Sequence, residues 1–123
     1  MQKIKADLKK KFGVNFNAES IGEKAFELQL RVSKIEYEKE FQFNPNRKFR
    51  ADFKIKDYPI LVEVEGGTRT QGRHTRHDGF EKDCIKYNSA CKLGYMVLRG
   101  TTEMVKSGKL LEDLISLMQS LDK

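Results

Sequence analysis

The chain has no tryptophan, only two prolines, two cysteines and two histidines among 123 residues. Two cysteines are too few for the disulfide framework of a small secreted domain. Cys84 and Cys91 also lie two turns apart on one face of a predicted helix, where they cannot bond to each other, so buried free thiols are expected. His74 and His77 could be joined to them as a zinc site, but the spacing matches no usual finger. No apolar run approaches the roughly 20 residues that span a bilayer. The opening Met1-Gln2-Lys3-Ile4-Lys5 also lacks the apolar core of a signal peptide. No membrane partner is therefore expected, and a cytoplasmic location is.

Linkers, repeats and low-complexity segments are missing too, so residues 1–123 read as a single domain. Charged residues at 34% and hydrophobic ones at 38% suit a folded chain rather than a disordered tail. The formal charge of +6 favours a polyanionic partner.

What the sequence does hold is a pair of alternating segments, Arg50-Ala51-Asp52-Phe53-Lys54-Ile55-Lys56 and Pro59-Ile60-Leu61-Val62-Glu63-Val64-Glu65, broken at Asp57-Tyr58. The period of two predicts strands, with Phe49, Ala51, Phe53 and Ile55 on one face of the first and Ile60, Val62 and Val64 on one face of the second. A hairpin turning about the Asp57-Tyr58 bond opposes residues whose numbers sum to 115. Asp52 then faces Glu63, and Arg50 faces Glu65. Carboxylates on directly opposed residues repel unless a proton is shared or a cation lies between them, and the pair reads as a metal site. An ordinary solvated face, with Arg50 and Glu65 as a cross-strand ion pair, is the alternative.

Around this hairpin the periodicities predict further elements. A basic helix over residues 2–12, carrying Ile4, Leu8 and Phe12, and a connector make up an N-terminal segment 1–18. A second helix runs from Ser20 to about Ser33, with an N-cap at Asn17 or Ser20. Its Glu23 and Glu27 lie one turn apart. Glu23 fits a capping box begun by Ser20, or it reaches the acidic hairpin. Residues 36–43 lead as a strand into the turn at Asn44-Pro45-Asn46. Residues 68–79 hold three arginines and both histidines but no aliphatic side chain, and read as an irregular loop suited to phosphate contact. A helix from Phe80 to Leu93 presents Phe80, Cys84, Tyr87 and Cys91 as its core stripe and ends at Gly94. Tyr95-Met96-Val97-Leu98 reads as a strand buried on both sides. A helical turn around Thr102–Lys106 and a last helix to Leu121, with Leu110, Leu114, Leu117, Met118 and Leu121 inward, complete the chain.

The order helix, three strands, helix, strand, with an acid on the second strand and Glu-x-Glu on the third, resembles the PD-(D/E)xK nuclease superfamily. The runs Phe49–Phe53, Val62–Gly67, Gly72–Arg76, Gly79–Asn88 and Leu93–Arg99 resemble small phage and bacterial proteins related to the very-short-patch-repair endonucleases. The similarity covers roughly residues 20–120. It implies an α+β, restriction-endonuclease-like αβββαβ core with a mixed four-stranded sheet and a C-terminal helix. It further implies a Mg²⁺- or Mn²⁺-dependent DNA endonuclease of repair or recombination in a bacterial or phage-infected cell, acting as a homodimer if both strands are cut.

Carried onto this chain, the resemblance makes Asp52, Glu63 and the Val64 carbonyl metal ligands, and Glu23 the first-helix acid. Glu65 stands where most of the superfamily has lysine, so it would serve as base or second ligand, with Lys86 or Arg73 supplying the missing charge. Arg50, Arg69, Arg73, His74, Arg76 and Lys82 would contact DNA. The competing expectations are a catalytically silent nucleic-acid-binding module, and an interaction protein whose acids are mere solvated surface.

Overall fold

Ile60-Leu61-Val62-Glu63-Val64 is buried at every position, which marks it as a central strand covered on both faces. A computed structural model describes residues 18–66 and 73–123, with side-chain positions for 21–66 and 79–123. The predicted N-terminal basic helix and Arg69 lie outside the described residues. The elements are α1 (Ala18–Val32), β1 (Tyr37–Gln42), β2 (Arg50–Ile55), β3 (Ile60–Glu65), α2 (Arg73–Lys92), β4 (Met96–Thr101), α3 (Thr102–Lys106) and α4 (Lys109–Leu121). They form an α+β fold with an open sheet in the order β1-β2-β3-β4. The meander β1-β2-β3 is antiparallel, and the crossover through α2 brings β4 parallel to β3.

The β2–β3 hairpin has the expected register, with Phe53 opposite Val62 and Lys54 opposite Leu61. Its turn is set by Asp57, at φ 69°, and by the Tyr58 N–H donating to the Ile55 carbonyl at 3.3 Å. Alternation along β3 feeds two cores. Ile60, Val62 and Val64 join Phe26 and Leu30 of α1, Phe53 and Ile55 of β2, Val105 of α3, and Leu110 and Leu114 of α4. On the opposite face Leu61 joins Phe43, Ala51 and Ala90 of α2.

The expected single face of Phe49, Ala51, Phe53 and Ile55 is divided between these cores. Phe53 and Ile55 belong to the first, whereas Ala51 and Phe49 belong to the second. The step lies at Glu40 and Asp52. Ladder pairing runs from Tyr37↔Ile55 to Lys39↔Phe53 and resumes at Phe41↔Ala51, with Glu40 at φ 51° in between. A residue with positive φ turns the pleat over, so the odd-numbered positions change sides there.

Four other expectations are corrected. Ser20 lies inside α1 rather than at its start, so Ser20–Glu23 is no capping box. Residues 73–79 belong to α2, not to a loop. The composition hid this helical stretch because it has no aliphatic stripe for periodicity to detect. The inward side of α2 is also not the Phe80–Cys84–Tyr87–Cys91 stripe: Phe80 and Cys91 are exposed, Cys84 is half-buried, and Lys86, Tyr87 and Ala90 face the sheet. Finally, β4 is an edge strand with Met96 exposed, so it is not buried on both sides. Gly94, at φ 90°, does end α2, with the Tyr95 N–H donating to the Ala90 carbonyl.

Gly22 sets how closely α1 approaches the sheet. A Cβ there would stand 2.6 Å from Thr102 Oγ1 and 2.9 Å from Val64 Cγ1. Gly22→Ala gains about 1 kcal/mol in helix propensity but overpacks a contact with a stiff valine, at a cost of about 1–3 kcal/mol. A net loss of stability is expected in urea unfolding. Gly79→Ala, with open space around it, is expected instead to gain about 0.5–1 kcal/mol.

Candidate functional site

At the end of the β2–β3 hairpin away from its turn, two acids take over the hydrogen bonding of the ladder. The Val64 N–H donates to Asp52 Oδ2 at 2.8 Å, and the Asp52 N–H donates to Glu63 Oε2 at 3.0 Å. Asp52 and Glu63 are thus neighbours across the strands, as the register predicts. Their remaining partners lie on opposite sides of the sheet.

Asp52 turns toward α1 and β1. One carboxylate oxygen each from Glu23, Glu40 and Asp52 lies within 4.8 Å of the others. Glu23 reaches this point because Gly22 lets α1 sit close to Val64. Glu40 reaches it because its positive φ falls where β1 passes Asp52. Burial, followed by hydrogen bonding to Glu23 and repulsion from its charge, pushes the Asp52 carboxyl up to about 7 from an ordinary 3.8, against the lowering effect of the Val64 N–H. Glu40 escaped the sequence reading because the segment between Phe43 and Phe49 leaves the β1 register open. The constancy of the sum 92 in the β1–β2 pairing puts Glu40 beside Asp52 only once that register is known.

Glu63 turns toward α2. Lys86 Nζ forms an ion pair with Glu63 Oε1, and the Tyr87 hydroxyl donates to the same oxygen at 3.2 Å. Burial and the charge of Asp52 raise the Glu63 carboxyl, while Lys86 and the Asp52 N–H oppose the shift. Tyr87 is raised as well, by burial and then by the Glu63 charge, so its hydroxyl keeps its proton for the bond. The ring of Tyr87 lies between Lys86 Nζ at 5.4 Å and the Arg99 guanidinium at 4.4 Å from its centroid.

Glu65 does not face Arg50. The β2–β3 pairing stops at Phe53↔Val62, and Arg99 of β4 takes Glu65 Oε2 instead, through Nε at 2.7 Å and Nη2 at 2.6 Å. Asp83 lies 3.7 Å from the same guanidinium. Arg99 escaped the sequence reading because its partner depends on the parallel β3–β4 register, which places it level with Glu63.

Arg50 and Lys82 are exposed, and Arg73, His74 and Arg76 lie on the first turns of α2. The expected ligands are therefore distributed: Asp52 with Glu23 and Glu40, Glu63 with Lys86 and Tyr87, and Glu65 with Arg99. The donor set that converges is made only of carboxylates. Such hard oxygens fit Mg²⁺ or Mn²⁺ better than zinc, and three of them together call for a cation or a proton.

Without divalent ions, Asp52 gives a pH dependence of known sign. Between about 4 and about 7 the native protein keeps a proton that the unfolded chain has released. This contribution to stability is full below about 4 and is lost as pH rises through about 7. Urea unfolding in chelator is expected to show a loss on the order of 2 kcal/mol from pH 5 to pH 8. Asp52→Asn should flatten this loss.

Comparison with protein-family models, with curated proteins and with solved structures finds no match for this chain.

Proposed function

We propose that this protein is a divalent-metal-dependent endonuclease that hydrolyses DNA phosphodiester bonds, with Mg²⁺ or Mn²⁺ held by Glu23, Glu40 and Asp52. The observation that carries this reading is the convergence of three carboxylates from α1, β1 and β2 on one point of a chain whose net charge is +6. Acids gathered on an acidic protein would be common surface. On a basic one they mark a place where like charges are held together against repulsion. The resemblance of the surrounding motifs to PD-(D/E)xK nucleases supplies the reaction class.

Such an ion, when bound, supplies Lewis-acid stabilisation of the phosphoryl oxygens and a water acidic enough to attack at neutral pH. The chain's own residues do the remaining work. Asp52, raised to about 7 without a cation, releases its proton as positive charge enters the site. The Val64 N–H fixes one oxygen of the Asp52 carboxylate, and a carboxylate oxygen of Asp52 lies within 4.8 Å of those of Glu23 and Glu40. Lys86, paired with Glu63 on the α2 side, lies across the sheet from these three acids. The basic first turns of α2, with Arg73, His74 and Arg76, would guide the DNA backbone.

A second reading has a specific observation in its favour. Glu63 and Glu65, the Glu-x-Glu pair, are already neutralised by Lys86 and Arg99, as suits a DNA-binding module without hydrolytic activity.

Plasmid and branched DNA incubated with Mg²⁺, Mn²⁺ or chelator separate the two. Cleavage that requires metal is expected, and it should fall at least about a hundredfold in Asp52→Asn and Glu40→Gln, with the fold kept. Equal cleavage by Asp52→Asn would overturn the site. Salt-sensitive binding without any cleavage would establish the second reading.

A further inference from the structure

One carboxylate of this structure holds more cations than it can neutralise. Glu27 is only 8% exposed. It accepts from the Tyr37 hydroxyl at 2.6 Å, from Arg31 Nη2 at 3.3 Å and from Lys39 Nζ at 3.3 Å, with Lys24 Nζ at 3.6 Å. Burial alone would raise Glu27, but the Tyr37 hydrogen bond and the Lys39 charge outweigh it and hold the carboxyl below its ordinary value. Glu27 is therefore an anion at neutral pH. Against its single charge stand three cations, a surplus of two. Their side chains keep 33%, 69% and 27% of their surface for Lys24, Arg31 and Lys39, so the surplus faces solvent.

The position of this cluster gives it a meaning. Lys24 follows Glu23 on α1, and Lys39 precedes Glu40 on β1. The two elements that deliver acids to Asp52 therefore deliver lysines to Glu27, one residue away along each chain. Lys39 also lies close enough to Glu23 to feel its charge, so a nucleic-acid strand laid across α1 and β1 would meet the acids and the lysines in succession. A divalent ion among the acids would cancel most of their charge, which leaves the lysine cluster as the positive station for a polyanion.

We infer that Lys24, Lys39 and Arg31, drawn together on Glu27, bind a DNA backbone phosphate near the bond to be cut. This assignment rests on the nuclease reading for the identity of the polyanion. Glu27 acts beneath the phosphate as an anchor. By holding two flexible lysines in place before binding, it lowers the ordering cost that free side chains would carry. Arg31, fixed also by its Nε–H donating to the Tyr37 oxygen at 3.0 Å, closes one side of the cluster.

The test is equilibrium binding of a fluorescent oligonucleotide over a range of salt, with Ca²⁺ in place of Mg²⁺. The double variant Lys24→Gln, Lys39→Gln is expected to bind about tenfold more weakly and to lower the slope of log affinity against log salt by about 1–2. The Lys24→Arg, Lys39→Arg variant should retain both. If the glutamine pair does not fold, Lys24→Gln alone should lower the slope by about 1. An unchanged slope and affinity in the folded glutamine variants, or a wild-type protein that does not bind DNA, overturns the assignment. Cleavage measured in parallel keeps the two readings apart. Binding through these lysines without cutting removes the nuclease and leaves the phosphate site, whereas cutting with unaltered glutamine-variant binding does the reverse.

Discussion

The exchange of hydrogen bonds between Asp52 and the β3 backbone, and between Glu63 and the β2 backbone, decides where every other charged group of the site can go. A regular ladder would continue beyond Phe53↔Val62 and keep both acids on the same face, stacked and repelling. Here the Val64 N–H is satisfied by Asp52 and the Asp52 N–H by Glu63. The backbone donors stay paired, as buried donors must, and the two carboxylates are free to part. Asp52 then faces α1 and β1, and Glu63 faces α2. One repulsive pair becomes two separate centres, each able to recruit partners from a different layer of the fold.

The two centres are balanced in opposite ways. Glu63 is buried with a lysine and a tyrosine directed at it, and the pair Glu65–Arg99 adjoins it across the Tyr87 ring. Removing Lys86 would leave an uncompensated buried charge, the costly kind of loss. Asp52 has no lysine or arginine of its own within ion-pair distance among the described residues. It has two further carboxylates instead, and its proton affinity rises accordingly. Glu27 and Glu63 thus draw cations from within the fold, whereas the three acids at Asp52 form no ion pair with a lysine or arginine among the described residues.

Much of this architecture could be read before any coordinates. Asp57-Tyr58-Pro59 fixes a tight hairpin, so the β2–β3 register followed from the sequence alone, and the leucines of α4 showed their stripe because solvent-facing residues around them are polar. What escaped notice obeys a common rule. The inward face of α2 is Lys86, Tyr87 and Ala90 rather than an apolar row, because Lys86 enters the interior with its counter-charge already there. A period built on hydrophobicity cannot see such a face. Glu40 was hidden for a different reason: positive φ at that residue reverses the alternation of β1 and β2, and no pattern in Glu36–Phe43 announces it. Arg99 depended on the parallel register across an α2 crossover, the longest-range pairing in the sheet and the least constrained by local sequence.

The partner of Glu65 has a physical account in these placements. Glu65 holds a guanidinium from the neighbouring strand, and Glu63 holds an ammonium from α2. Positive charge thus sits on two elements flanking β3, each tethered by one member of Glu-x-Glu. Arg99 is also braced by the face of Tyr87 and by Asp83, so it is more rigid than a solvent-exposed lysine stem would be. Glu63 and Glu65 in this protein hold the charges of Lys86 and Arg99, while Asp52 meets the acids that α1 and β1 bring to it.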